Sequence, residues 1–274
     1  MAVNFNEITL SDQHLFETML LQDMGVRKRL IGKLIGIPTI ADIVYIHAED
    51  SQKPSFTSKG VRFDVYIKDQ EGVAYIVELQ RNDTKELVQR ARYYQAVCDS
   101  KQLVPGDDYR DLKDNYAIFI CREDIFKQDL YKYSFKNTCT EVENLDLKDG
   151  THKIFFNTKG SKGDICEDVI ALLKRIEGLP VENEFVQEID RITETIKENE
   201  EWRQNYMQTF WRERDAVRRG FAQGLEQGLE QGLAKVEAEK LEIAKKLLKL
   251  ETSIENIAIA VELTTEEINA LVRL

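Results

Sequence analysis

Apolar and polar positions divide the chain near Asn183. Before it, segments with strand and helix periodicity alternate. Residues 13–21 and 26–35 carry apolar side chains at helical spacing, and residues 40–47 alternate as a strand does. Residues 61–68 and 73–80 give the clearest hairpin pattern, and a helix follows over 84–103, with Asp83 or Thr84 suited to cap it. The run Asn-Tyr-Ala-Ile-Phe-Ile-Cys-Arg at 115–122 has the continuous apolar character of a buried strand. Short strands are expected at 131–139 and 153–157, then a helix over 165–176 closed by Gly178 and Pro180. The order α-β-β-β-α-β predicts an α/β domain of about 180 residues, a mixed sheet flanked by helices.

After Asn183 helix formers dominate and no proline occurs. One helix from 183 to about 250 would run roughly 100 Å. Gly220, Gly224, Gly228 and Gly232 recur every four residues within it. Each costs about 1 kcal/mol against alanine in a helix interior. Close helix–helix approach in an oligomer would offset that cost; a flexible, partly frayed linker is the other reading. Trp202, Tyr206, Phe210 and Trp211 interleave with Arg203, Arg212, Arg214, Arg218 and Arg219. A packed seam flanked by solvated arginines is favoured here over a stacking contact with nucleic acid. Thr252–Glu255 and Thr264–Glu267 both fit the capping box. They predict two terminal helices, 254–263 and 266–274, which form a packing hairpin rather than a DNA-reading one, since residues 265–274 present no basic face.

Composition narrows the function. The chain has 274 residues and a formal net charge of −11. Such a balance argues against non-specific nucleic-acid binding, although a local basic patch or a bound metal can reverse the field at one site. The four cysteines form no C-x-x-C and read as reduced thiols, and the three histidines form no zinc-ligand spacing. There is no signal-peptide pattern at the N-terminus and no run of 18 apolar residues, so a cytoplasmic protein without a membrane span is expected.

The chemistry lies in the hairpin. The turn Gln70-Glu71-Gly72 fits a three-residue loop with glycine left-handed, which pairs Asp69 with Val73. Counting back sets Asp64 opposite Glu78. One face then holds Val61, Phe63, Val65, Ile67, Val73, Tyr75, Val77 and Leu79; the other holds Arg62, Asp64, Tyr66, Lys68, Ala74, Ile76, Glu78 and Gln80. Two adjacent carboxylates repel unless a cation or proton lies between them, and hard oxygen ligands suit Mg²⁺. Alone, the hairpin fits a solvated face with Arg62 and Lys68 screening the acids. Arg81, Lys85, Arg90 and Arg92, interleaved with Tyr93, Tyr94 and Gln95, add the local positive charge that a phosphate backbone requires.

At these residues the sequence resembles the PD-(D/E)XK nuclease superfamily, and within it the recombination-promoting nuclease and transposase-like group. The resemblance rests on Asp64, on Glu78-Leu79-Gln80 where Glu-x-Gln replaces Glu-x-Lys, on the helix Arg90-Ala-Arg-Tyr-Tyr-Gln95, and on the glycine repeat of the tail. It implies a restriction-endonuclease-like core and a metal-dependent DNA endonuclease, possessed of Mg²⁺ or, in its place, Mn²⁺. Asp64, Glu78 and the backbone carbonyl of Leu79 are then the implied metal ligands. Glu17 stands where a further acidic ligand often comes from the first helix, although Phe16-Glu17 departs from the lysine common after that phenylalanine. Gln80 takes the place of the lysine, with only hydrogen bonds to orient a water. Arg81, Arg90, Arg92 and Tyr93 are the expected DNA contacts. The implied organisation is a nuclease core over 1–180, an oligomerising helix over 181–250 and a helical hairpin over 251–274. A catalytically silent DNA-binding or recombination-accessory protein, or a scaffold acting through its helical tail, are the rival readings.

Overall fold

The computed structural model describes residues 3–52, 60–82 and 85–272. They divide into two compact units, Met1–Tyr206 and Met207–Leu274.

The first unit is built on a six-stranded sheet. Its strands are β1 (Ile43–Gln52), β2 (Val61–Asp69), β3 (Ala74–Gln80), β4 (Asn115–Cys121), β5 (Lys132–Phe135) and β6 (Thr151–Asn157). They lie in the order β1-β2-β3-β4-β6-β5. The first three are antiparallel, β3, β4 and β6 run parallel, and β5 returns antiparallel to β6. Helices α1 (Gln13–Gln22), α2 (Met24–Ile35), α4 (Glu167–Ile176) and α5 (Glu184–Glu198) supply one core, in which Leu15, Leu30, Leu172 and Ile189 meet Val65, Val77, Ile118 and Phe156. Helix α3 (Leu87–Gln102) covers the opposite face, where Leu87, Tyr94 and Val97 meet Phe63, Ile76, Phe119 and Phe155. Two covered faces explain why β4 reads as a continuous apolar run: Ile118 and Ile120 enter one core, Ala117 and Phe119 the other.

Several expectations change. The second face of the hairpin is buried under α3 and is not a solvated one: Ala74, Ile76 and Glu78 are all inaccessible. Val61 and Phe63, placed by alternation with Val65 and Ile67, join the α3 core instead. The β2–β3 pairs run from Lys68↔Ala74 only to Val65↔Val77. Beyond that point β3 no longer holds β2 to a strict period of two. Asp83 and Thr84, expected as caps, lie outside the described residues; α3 starts at Leu87 with Glu86 at its N-cap. The expected strand over 131–139 is shorter, as β5 shows.

The tail helix is interrupted. Asn199 is extended (φ −70°, ψ 119°), ending α5, and its side chain accepts the Trp202 N–H at 2.9 Å, opening α6 (Glu200–Lys249). An asparagine cap at that point turns Trp202 into the core, where its ring stacks on His14 and its Nε1 donates to Thr18 Oγ1 at 3.1 Å. Tyr206 donates to Asp12 Oδ2 at 3.1 Å. This first stretch of the aromatic–arginine segment is therefore the packed seam expected.

In the second unit α7 (Ile254–Val261) and α8 (Thr265–Val272) close on the end of α6 around Ala244, Ile257, Val261 and Ile268. Thr264 and Glu267 form the expected capping box. Thr252 does not; Ser253 caps α7 instead. No helix among the described residues is long and apolar enough to cross a membrane.

Candidate active site at the end of the β2–β3 ladder

The loop fixes the register as the sequence predicts. Gly72 takes φ +87°, and Asp69 Oδ1 accepts the N–H groups of Glu71 and Val73 at 3.0 and 2.9 Å. Lys68↔Ala74 and Val65↔Val77 then lead to Asp64 beside Glu78. There the strands stop pairing through their backbones, and the two carboxylates take over. Asp64 N–H donates to Glu78 Oε1 at 2.9 Å, and Leu79 N–H donates to Asp64 Oδ2 at 3.1 Å. Each acid thus accepts a backbone donor from the opposite strand, which holds both side chains at the splay.

Helix α1 completes one side. Asp12 caps it, accepting Leu15 N–H at 3.2 Å, and so sets the first turn against the hairpin. Gln13 then bridges two acids: its Nε2 donates to Glu17 Oε1 at 2.7 Å and to Asp64 Oδ1 at 2.8 Å. Glu17 is 3% exposed, a buried acid turned to the site rather than a surface helix glutamate. Helix α3 completes the other side. Arg90 Nη2 donates to Glu78 Oε2 at 2.8 Å and to Tyr94 Oη at 2.9 Å, and Nη1 donates to Gln80 Oε1 at 3.0 Å.

The electrostatics follow from burial. Glu78 is wholly buried, and Asp64 is 8% exposed. Burial, and then the neighbouring Asp64, push the Glu78 carboxyl well above the usual range; the Asp64 N–H and Arg90 pull against them, and Glu17 adds to the push. Burial lowers Arg90, but Tyr94, Glu78 and Asp64 outweigh it and raise it. With Asp64 and Glu78 both ionised, the site would hold more negative charge than one guanidinium offsets.

That surplus fits a divalent cation. Among the described residues no three His, Cys, Asp or Glu side chains form a protein-only metal cage. Two carboxylates with the remaining positions open are what Mg²⁺ uses when it keeps waters and takes substrate phosphate oxygens. Leu79 donates its N–H toward β2, and in a strand the carbonyl of the same residue faces the same edge, toward Asp64. Asp64, Glu78 and Leu79 are thus brought together, with Glu17 adjoining through Gln13.

The basic residues separate. Arg90 turns inward. Arg81 turns to α1, with Nε to Ser11 O at 2.9 Å and Nη2 to Asp12 Oδ2 at 3.2 Å. Arg92 is exposed and lines a groove with Phe126, Phe135 and Lys153, and Tyr93 is half-buried. Sequence reasoning missed Gln13, whose one signal was its i, i+4 spacing to Glu17.

Residues 29–161 match the model of a family described as PD-(D/E)XK nuclease family transposase. This bears out the resemblance carried by the hairpin. The mixed sheet with helices on both faces is a restriction-endonuclease-like core, and the match implies a nuclease-type hydrolase that binds DNA. No curated protein and no solved structure matches the chain.

Proposed function

We propose that this chain is a metal-dependent DNA endonuclease, with Asp64 and Glu78 holding Mg²⁺ and the Leu79 carbonyl and Glu17 adding to the ligand field. The observation that carries the reading is the mutual exchange at the splay, where two buried carboxylates accept each other's strand N–H groups and leave a surplus of negative charge. An ion held there would supply Lewis-acid chemistry, polarising a phosphodiester and lowering the pKa of a water. Gln80 orients that water by hydrogen bonds. The exposed Arg81 and Arg92 and the half-buried Tyr93 are the DNA-backbone contacts in this reading. Promotion of recombination or transposition in the cytoplasm is the setting in which such cleavage acts.

The tail oligomerises in this reading. Along α6, Phe221, Leu225, Leu229 and Leu233 are 74%, 58%, 59% and 63% exposed, and Gly220, Gly224, Gly228 and Gly232 have open space around them. Small residues every four positions let a second helix approach closely.

One observation favours a silent DNA binder instead: Arg90 already supplies a cation to Glu78. Supercoiled plasmid incubated with Mg²⁺, Mn²⁺ or EDTA, with Asp64→Ala and Glu78→Ala alongside, separates the two. Metal-dependent nicking or linearisation is expected, falling at least about 10³-fold in both variants, because several kcal/mol of charge stabilisation is removed. Absence of cleavage by a folded protein that still binds DNA would assign the chain to the silent class.

A further inference from the structure

A glutamine can either accept or donate at an active site, and Arg90 decides which. A guanidinium has donors and no acceptor. Arg90 Nη1 lies 3.0 Å from the Gln80 amide, so the atom facing it must be the oxygen. The amide is thereby fixed with Nε2 turned away from Arg90. Arg90 is itself held in place. Its Nη2 contacts Glu78 Oε2 and Tyr94 Oη, and its guanidinium lies 5.4 Å from the Tyr94 ring centroid and 5.9 Å from that of Phe119. Tyr94 Oη in turn donates to Arg62 O at 3.3 Å.

We propose that Arg90 is a positioning residue which locks Gln80 as a hydrogen-bond donor toward the Asp64–Glu78 site, so that the fixed charge of Arg90 and the N–H of Gln80 together do what one cationic donor would do. The proposal rests on the nuclease reading for its reaction. Nε2 meets a phosphate oxygen or the attacking water, and the polarised amide carries the influence of the guanidinium to it. Arg90 therefore serves the site without touching DNA.

Gln80→Glu keeps the oxygen that Arg90 grips and removes the donor. It is expected to fold as the native chain does, to lower kcat about 10²–10³-fold as loss of one preorganised donor does, and to leave KM within a few-fold. Arg90→Met should lower kcat similarly, and adding Gln80→Lys to it should recover at least tenfold. A role limited to neutralising Glu78 predicts that Gln80→Glu cleaves within threefold of the native rate and that the double variant is no faster than Arg90→Met; either result overturns the proposal. A second readout needs no cleavage. The Gln80 side-chain amide signals in ¹H–¹⁵N spectra, assigned by their loss in Gln80→Glu, should shift when the full chain binds a phosphorothioate duplex with Ca²⁺. In Arg90→Met they should move to free-amide positions. Unmoved signals overturn the proposal. A chain that cuts nothing but shows these shifts would retire the nuclease reading and keep the positioning role.

Discussion

At Glu78 a carboxylate is taken wholly out of water beside a second one, and its pKa rises for that reason. A raised folded-state pKa has a defined sign for stability. The contribution is fully present below the ordinary glutamate value, about 4.3, and is lost as pH rises through the folded value. In EDTA the melting temperature should therefore fall as pH rises across that window. Mg²⁺ should oppose the fall, since an ion that binds only the folded state stabilises by about 2.7 kcal/mol at 100 times its Kd. Melting curves at several pH values, with and without Mg²⁺, check this; a slope identical in both conditions would count against a cation site at Glu78. Asp64 and Glu78 were legible in the sequence because the loop sets a register and the register sets neighbours. Gln13 was not, because an uncharged side chain three elements away gives no pattern of its own. The inward turn of Arg90 was hidden too: its neighbours Arg81 and Arg92 have the same chemistry, and only helix packing separates them.

Elements were legible where local chemistry dominates. Gly72 adopts φ +87°, and a Cβ there would lie 3.0 Å from Lys113 Cγ. Gly72→Ala should cost about 1–2 kcal/mol, read as a lowered denaturation midpoint, and a neutral result would show that the loop does not fix the register. The reverse case is Glu262, which ends α7 in the left-handed region (φ 52°) with only an exposed ion pair to Lys240. Glu262→Gly should raise the denaturation midpoint of the second unit, because glycine takes that conformation without strain and exposed pairs contribute little. Chemical denaturation followed by helical circular dichroism measures it. Long-range effects were what the pattern could not carry. Val61 and Phe63 join the α3 core beyond Val65, where backbone pairing with β3 ends. The long helix broke at Asn199 because burying Trp202 demands a turn that helix propensity alone does not signal.

For the whole molecule, the net charge of −11 is compatible with the DNA-directed reading if the positive field is local: Arg81 and Arg92 are exposed, and in the proposed reading a bound ion would add positive charge at the Asp64–Glu78 pair. The exposed leucine and glycine stripe of α6 adds a second expectation. If the stripe mediates self-association as proposed, Leu225→Glu with Leu229→Glu should convert the assembly to a monomer in light scattering while plasmid nicking persists; a native chain that is already monomeric would overturn it. The glycine period was plain in the sequence, whereas its open surroundings became visible only once α6 was placed as a helix. The central claim is that Asp64 and Glu78 form one divalent-cation site, and it is tested most directly by titrating Mn²⁺ into the protein with electron paramagnetic resonance to count bound ions. The account predicts saturable binding in the native chain that is lost in both Asp64→Ala and Glu78→Ala. Equal Mn²⁺ binding by the native chain and both variants would contradict it.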